Sequence, residues 1–160
     1  MKKNYCNAER FDGIKKIGNT YIVTYGFGED EQGKYHFEEL FSHEPTLDYI
    51  KFLVLEQINT NTQQKITSGF KWKDMLVWLS EANQLNYARD FAVAYCCEKS
   101  GEHYSLPTYK FGTDDEPTYY TFENFEEFKQ FSKAWALHIS ETLRAGWYEK
   151  SIIDWTGYSI

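Results

Sequence analysis

The chain has 160 residues, of which 26% are charged and 19% are aromatic. This length predicts one domain with one good core, and the aromatic content predicts a core built largely from rings. The net charge of −7 argues against nucleic acid and anionic membranes as partners, because both select proteins with a basic face.

The cysteines and the N-terminal segment bear on the cellular compartment. Cys6, Cys96 and Cys97 are too few and too unevenly spaced for a disulfide framework, so we expect reduced thiols. No apolar run approaches the ~18 residues of a membrane span, and no apolar segment follows Lys2 and Lys3 as in a secretory signal. We therefore expect synthesis in the cytoplasm.

The first elements in chain order are strands followed by a helix. Ile14–Ile17 predicts a short strand, and Thr20–Phe41 predicts a β-hairpin with a polar turn at Gly28–Gly33. Thr46 is the predicted N-cap of a helix with apolar residues at helical spacing. We expect this helix to end at Asn59–Thr62, where short polar side chains compete for backbone hydrogen bonds.

The segment Ile66–Ser80 predicts two more strands joined by a tight turn at Lys73-Asp74. Ser80 is the predicted N-cap of a second helix, which should end at Ser100-Gly101. Leu106–Gly112 and Thr118–Phe122 follow as a third strand pair around an acidic turn. These signals continue the alternation of two strands and one helix.

The last predicted helix begins after Asn124, with Glu127 placed as in a capping box. We expect it to end at Gly146 and to be followed by an irregular tail. The aromatic residues predicted to lie in the core of the chain are Phe70, Trp78, Phe91, Phe128, Phe131 and Trp135.

The predicted fold class is α+β, with β-hairpins packed against two or three amphipathic helices in ββα units. The predicted organisation has an N-terminal hairpin–helix region at 1–65 and a ββαββα domain at 66–160. The two regions are compatible with one compact unit.

The tail contains four aromatic residues, Trp147, Tyr148, Trp155 and Tyr158, which form the candidate interaction surface. Two alternatives are open: the tail docks on its own domain, or it docks on a partner subunit or another protein, because exposed apolar patches usually mark contacts.

No pattern in the sequence indicates catalysis, a metal or a cofactor, so the chain is predicted not to be an enzyme. His36, His43 and His103 are expected to be exposed, and His138 is expected to have a structural role in the last helix. Cys96-Cys97 does not have the C-x-x-C spacing of a redox motif. We expect one of these two cysteines to pack in the helix face.

Several motifs carry a family resemblance. They are Ile66-x-x-Gly-Phe-x-Trp-x-x-x-x-Val-Trp-Leu-Ser, Asn83-Gln84-x-Asn86, Tyr109-x-Phe-Gly-Thr113, Gly146-Trp147 and Ile153-Asp154-Trp155. The span Ile66–Trp155 resembles a domain of unknown function found in small proteins of phages and prophages, with the most similar members in Bacteroides-type gut bacteria. Related domains lie at the C-terminal ends of phage tail and tail-fibre-associated proteins. The resemblance implies a structural or assembly role and supplies no catalytic residues.

Three functional hypotheses follow, of which the last is an enzyme without a local sequence motif, which a deep pocket with perturbed carboxylates would indicate. The first is a non-enzymatic tail-associated structural or assembly protein that contacts phage tail or fibre subunits, or itself, in the host cytoplasm or in the virion. The alternative is a carbohydrate-binding module that uses exposed aromatic residues. Stacked Trp or Tyr side chains lining a groove would favour the alternative, and a flat apolar patch repeated by symmetry would favour assembly.

Overall fold

The structure of the chain is a computed structural model that describes residues 3–6 and 9–159. The chain divides into two compact units, one formed by 1–60 and 146–160 and the other by 61–145. The three α-helices of the described residues are α1 (Leu47–Ser68), α2 (Glu81–Ser100) and α3 (Phe125–Ser151). With its antiparallel hairpins, the fold is α+β, as predicted from the sequence.

The first unit contains a four-stranded antiparallel sheet. In chain order its strands are β1 (Lys3–Tyr5), β2 (Gly13–Ile17), β3 (Thr20–Asp30) and β4 (Gly33–Phe41), and their spatial order is β1-β4-β3-β2. The pairing of β3 with β4 confirms the predicted hairpin. A bulge interrupts it after Tyr25, where Gly26 has a φ of 64°. Glycine adopts this left-handed conformation without the strain that a Cβ atom would add.

The core of the first unit lies between one face of the sheet and the N-terminal part of α1. Val23 and Tyr25 are fully buried on β3, with Ile50 on the facing side of α1. Because side chains alternate along a strand, Thr24, between Val23 and Tyr25, points to the opposite face of the sheet. The whole buried cluster is Ile14, Val23, Tyr25, Phe37, Ile50, Leu53, Val54, Ile58 and Tyr158.

Two short hairpins and the helix α2 shape the second unit. The first hairpin pairs β5 (Lys71–Trp72) with β6 (Met75–Leu76), and the second pairs β7 (Thr108–Gly112) with β8 (Pro117–Thr121). Lys73 and Asp74 both have positive φ, 48° and 65°, as a two-residue type I′ turn requires. The predicted tight turn is therefore confirmed.

Aromatic rings fill the core of the second unit. Phe131 is fully buried, and its ring centroid lies 5.1 Å from that of Phe122, 5.3 Å from that of Tyr87 and 5.5 Å from that of Phe111. Such offset and edge-to-face contacts stabilise a core beyond simple burial. The whole buried cluster is Phe70, Val77, Leu79, Tyr87, Ala94, Phe111, Phe122, Phe128 and Phe131, against which Phe91 and Trp135 pack partly buried.

The helix N-termini and the C-terminus of α2 match the sequence signals. The Oγ1 of Thr46 accepts a hydrogen bond from Tyr49 N, and the Oγ of Ser80 accepts one from Asn83 N, both at 3.3 Å. Gly101 ends α2 in the left-handed conformation, with a φ of 73°. The predicted caps of these helices are therefore confirmed.

Two helix ends were predicted wrongly. Helix α1 continues past Asn59–Thr62 to Ser68, because burial of Ile66 offsets weak local helix propensity. Helix α3 continues through Gly146 to Ser151, so the first residues of the predicted tail are helical. Gly146 has no positive φ, and a buried helical glycine costs only about 1 kcal/mol relative to alanine.

None of the described helices contains a stretch long and apolar enough to cross a membrane. The sequence-based division into a hairpin–helix region at 1–65 and a ββαββα domain at 66–160 stays a prediction. The last 15 residues, 146–160, nevertheless belong to the same compact unit as the N-terminal sheet.

Candidate functional site

A cleft of about 620 Å³ opens on the surface of the second unit, and we call it the Trp78 cleft. One wall comes from the extended segment after β6 and from α2, and the other comes from β7 and the turn that follows it. Its lining residues include Trp78, Asn83, Asn86, Arg89, Asp90, Tyr109, Lys110 and Asp114. Clefts of this size with a few converging polar groups are typical of small-ligand sites.

Trp78 lies on the surface, which corrects the prediction that it belongs to the core. The flanking residues Val77 and Leu79 are fully buried, whereas 52% of Trp78 is exposed. Val77 N donates to Phe70 O at 2.9 Å and Leu79 N donates to Thr67 O at 2.8 Å, so the segment is held extended. Side chains alternate in an extended segment, and the burial of Val77 and Leu79 therefore turns the indole outward into the cleft.

The first turn of α2 supplies amide groups beside this ring. The Nδ2 of Asn83 donates to the carbonyl oxygen of Trp78 at 2.7 Å, which anchors the backbone that carries the indole. Asn86, one turn further along α2, is exposed and lines the cleft. A side-chain amide offers both a donor and an acceptor, as a ligand with several hydroxyl groups requires.

The carboxylate of Asp90 lines the cleft on the α2 side and is held by two partners. The Tyr109 hydroxyl donates to Asp90 Oδ2 at 3.0 Å, and Arg89 donates to Asp90 Oδ1 at 3.1 and 2.9 Å through Nε and Nη2. Burial, with the nearby charge of Asp90, raises the pKa of Tyr109 well above its ordinary value. The hydroxyl therefore stays protonated near neutral pH and keeps Asp90 in place as an acceptor.

The opposite wall carries the ion pair of Lys110 and Asp114, with Nζ 2.7 Å from Oδ1. Hydrogen bonding to Asp114 raises the pKa of Lys110, which therefore remains charged. Gly112, with a φ of 83°, lets the backbone pass close to Glu116, since a Cβ at Gly112 would lie 2.4 Å from the Glu116 carbonyl oxygen. The cleft thus combines one aromatic face with neutral and charged hydrogen-bonding groups.

The four residues of the candidate interaction surface differ in burial, and Tyr158 is not on the surface. Trp147 and Tyr148 lie on the last turns of α3 and are 61% and 67% exposed. Tyr158 is buried in the core of the first unit, and the half-buried Trp155 ring lies 5.7 Å from it. The C-terminal part of the predicted tail therefore docks on its own unit, whereas the interaction role of Trp147 and Tyr148 stays a prediction.

His36 was predicted to be exposed, but only 5% of it is accessible. It lies on the face of β4 opposite Phe37, where the Phe27 ring stacks on it with centroids 4.9 Å apart. His43 and His103 are exposed, as predicted. The Nε2 of His138 lies 3.0 Å from the carbonyl oxygen of Lys65, a structural contact within the second unit.

The two cysteines of α2 are not among the residues that line the Trp78 cleft. Cys97 is half-buried and Cys96 is exposed, and both are free thiols, as is Cys6. Among residues 3–6 and 9–159, no three His, Cys, Asp or Glu side chains converge as a metal site would require.

Sequence reasoning did not identify the cleft. Its polar residues come from α2 and from β7 with the turn that follows it, and no motif links these segments. One signal was available: Trp78 stands between two aliphatic residues in an extended segment, and alternation allows only one of the two sets to be buried.

Comparison with known proteins identified no relative of this chain. No protein family matches the chain, and neither a curated protein nor a solved structure is similar to it.

Proposed function

We propose that the chain is a non-enzymatic carbohydrate-binding protein and that the Trp78 cleft holds the sugar. The observation that carries this proposal is a half-exposed indole beside amide, carboxylate and guanidinium groups in one cleft. The apolar C–H face of a sugar ring packs on an aromatic face, while its hydroxyls exchange hydrogen bonds with polar side chains. Catalysis plays no part in the proposed role.

The charges of the cleft favour a neutral or weakly charged sugar. Asp90 and Asp114 are each paired with a basic neighbour, so neither charge sign prevails in the lining. A strongly anionic ligand such as a nucleic acid would need unpaired cations, because phosphate contacts dominate its affinity. Sugar hydroxyls can instead bind to the free positions of groups that are already paired.

The test is binding of a panel of neutral oligosaccharides, first on an array and then by isothermal titration calorimetry. At least one sugar should bind with a Kd of about 1 mM or tighter, equivalent to about −4 kcal/mol. Trp78→Ala should abolish this binding. Trp147→Ala is the matched control, since it removes an indole of similar exposure from the other unit.

Two results would contradict the proposal. One is an array on which the correctly folded chain binds no sugar. The other is equal affinity in the wild type and Trp78→Ala, which would place the sugar elsewhere. Asn86→Ala is a second test of whether the sugar binds in this cleft. It should weaken sugar binding, because it removes an exposed amide of the cleft without changing the core.

A second candidate function is a tail-associated structural or assembly protein of a phage or prophage. The resemblance of Ile66–Trp155 to phage domains and the exposure of Trp147 and Tyr148 support it, because exposed Trp and Tyr anchor protein interfaces. The partners would be tail or fibre subunits or a second copy. The protein would then reside in the cytoplasm of a host bacterium or in the virion.

A tagged pull-down after prophage induction, read by mass spectrometry, tests this second function. Tail or fibre subunits should co-purify with the wild type and with Trp78→Ala, but not with the double variant Trp147→Ala, Tyr148→Ala. Equal recovery with that double variant would exclude the two exposed rings as the contact. Recovery of no phage protein at normal expression would count against the tail function.

A further inference from the structure

The outer face of the first unit's sheet carries a thiol, an imidazole and a carboxylate in series. Cys6 Sγ lies 3.3 Å from His36 Nδ1, and His36 Nε2 lies 2.8 Å from Glu38 Oε1. Alternation along β4 places His36 and Glu38 on one face, two residues apart. The pairing of Asn4 with His36 and the hydrogen bond from Cys6 N to Lys34 O bring Cys6 onto the same face. We call these three residues the Cys6 cluster.

The imidazole is held in one orientation. Only 5% of His36 is exposed, and Phe27 stacks on its ring with an interplanar angle of 21°. The second oxygen of Glu38 accepts a hydrogen bond from Asn4 Nδ2 at 2.9 Å, so the carboxylate is fixed as well. Because an ionised carboxylate only accepts hydrogen bonds, Nε2 carries the proton, and Nδ1 of the neutral ring is left to accept from the thiol.

Cys6 lines a cleft large enough for a small molecule. A cleft of about 430 Å³ lies on this face, and its lining includes Cys6, His36, Phe11 and Lys15. Nucleophilic cysteines require a base within hydrogen-bonding distance and a third group that orients that base. The Cys6 cluster has both, which neither Cys96 nor Cys97 has among the described residues.

We propose that Cys6 is a nucleophilic thiol that reacts with an electrophilic carbon bearing a leaving group. In this step the thiol proton moves to His36 Nδ1 and a sulfur–carbon bond forms. The bond to the leaving group breaks, and the leaving group departs with its electron pair. Glu38 acts as a positioning residue that holds the imidazole and stabilises the imidazolium. The site lies in the first unit and does not depend on sugar binding by the Trp78 cleft.

The test measures alkylation of each thiol by limiting iodoacetamide at neutral pH, with peptide-level mass spectrometry. Cys6 should react about tenfold faster than Cys96 although Cys96 is more exposed, because a positioned base speeds proton transfer. In urea-denatured protein the ratio of the two rates should fall to about one, since the cluster no longer exists. A Cys6 rate in the folded protein no higher than that of Cys96 would overturn the proposal.

Two variants assign the cause. His36→Gln should lower the Cys6 rate about tenfold, while leaving the Cys96 rate unchanged. Because His36 is buried and its replacement can disturb folding, Glu38→Gln is a milder second variant, with an expected fall of about threefold. His43→Gln, at an exposed histidine outside the cluster, should have no effect. A Cys6 rate unchanged by Glu38→Gln in a folded protein would refute the role of the cluster.

Discussion

Glu127 is expected to stabilise the second unit far more than its neighbour Glu126, although both lie in the first turn of α3. The carboxylate of Glu127 accepts hydrogen bonds from the Lys73 ammonium, the Tyr120 hydroxyl and the backbone N–H of Glu123. Its side chain is only 11% exposed. These contacts join the type I′ turn and β8 to the beginning of α3.

The expected loss for Glu127→Gln is about 2–3 kcal/mol in the free energy of unfolding. Hydrogen bonds to a charged group contribute about 1.5–3 kcal/mol, and the substituted amide presents an NH₂ group to donors. Glu126→Gln is the matched control, because Glu126 pairs with Lys129 and both side chains of that pair are more than half exposed. We expect less than about 0.5 kcal/mol for that exposed pair. Any interaction with the helix dipole is common to both positions and cancels in the comparison.

The assay is urea unfolding followed by circular dichroism, with both variants measured at the same pH values. Burial tends to raise the pKa of Glu127, but hydrogen bonds from Lys73 and Tyr120 outweigh it and hold the pKa below its ordinary value of 4.5. The stabilisation is therefore complete above pH 4.5 and is lost as the pH falls through the lower folded value. Equal stabilities of Glu127→Gln and Glu126→Gln at neutral pH would refute this reasoning.

Four further predictions use the same unfolding assay or a titration. Phe131→Ala should cost about 3–5 kcal/mol because it opens a cavity in the fully buried ring cluster, whereas Tyr119→Ala, at a 72% exposed residue, should stay within about 0.5 kcal/mol. Tyr158→Ala should cost about 3 kcal/mol or more and Tyr148→Ala close to nothing, and equal costs would contradict docking of the C-terminal segment. Gly26→Ala should cost more than Gly18→Ala: both glycines have φ near 60°, but only at Gly26 would the new Cβ lie 2.9 Å from the Phe37 ring. Finally, burial raises the pKa of Tyr87 to about 12, so ultraviolet titration should show this phenol ionising at a higher pH than the exposed tyrosines. The free energy of unfolding should fall as the pH rises above about 10, because the unfolded chain then loses this proton first. Ionisation of every tyrosine near pH 10 in the folded protein would contradict the burial of Tyr87.

Local chemistry explains why so many elements could be predicted from the sequence. The alternation in Thr20–Phe41, the turn at Lys73-Asp74 and the caps at Ser80 and Gly101 each depend on residues within a few positions of one another. Neighbouring side chains and backbone groups decide such signals before any tertiary contact forms. The α+β class and the order of its hairpins and helices follow from them.

The continuation of α1 past Ile66 and of α3 through Gly146 depended on burial instead, since both residues are buried. Local propensity disfavours both continuations, at Asn59–Thr62 and at Gly146, by amounts near 1 kcal/mol or less per residue. Burial of Ile66 contributes about 1.5–3 kcal/mol, which offsets the roughly 2–3 kcal/mol by which the four residues Asn59–Thr62 together disfavour the helix relative to alanine. The surface that buries such a side chain is not contained in the short stretch of sequence around it, so local patterns do not predict where the helix ends.

The candidate sites were also decided by tertiary structure. Trp78 was predicted to be buried and is exposed, whereas His36 was predicted to be exposed and is buried. In a short extended segment, the elements that pack against each face decide which of the two alternating sets of side chains is buried. The Trp78 cleft joins α2 to β7, and the Cys6 cluster joins the N-terminal strand to β4 across 30 residues. The sequence by itself determined the three helices, the three hairpins and their order, but not the N-terminal strand β1. Only the tertiary structure determined which side chains converge, because convergence depends on strand pairing and packing between residues far apart in the chain.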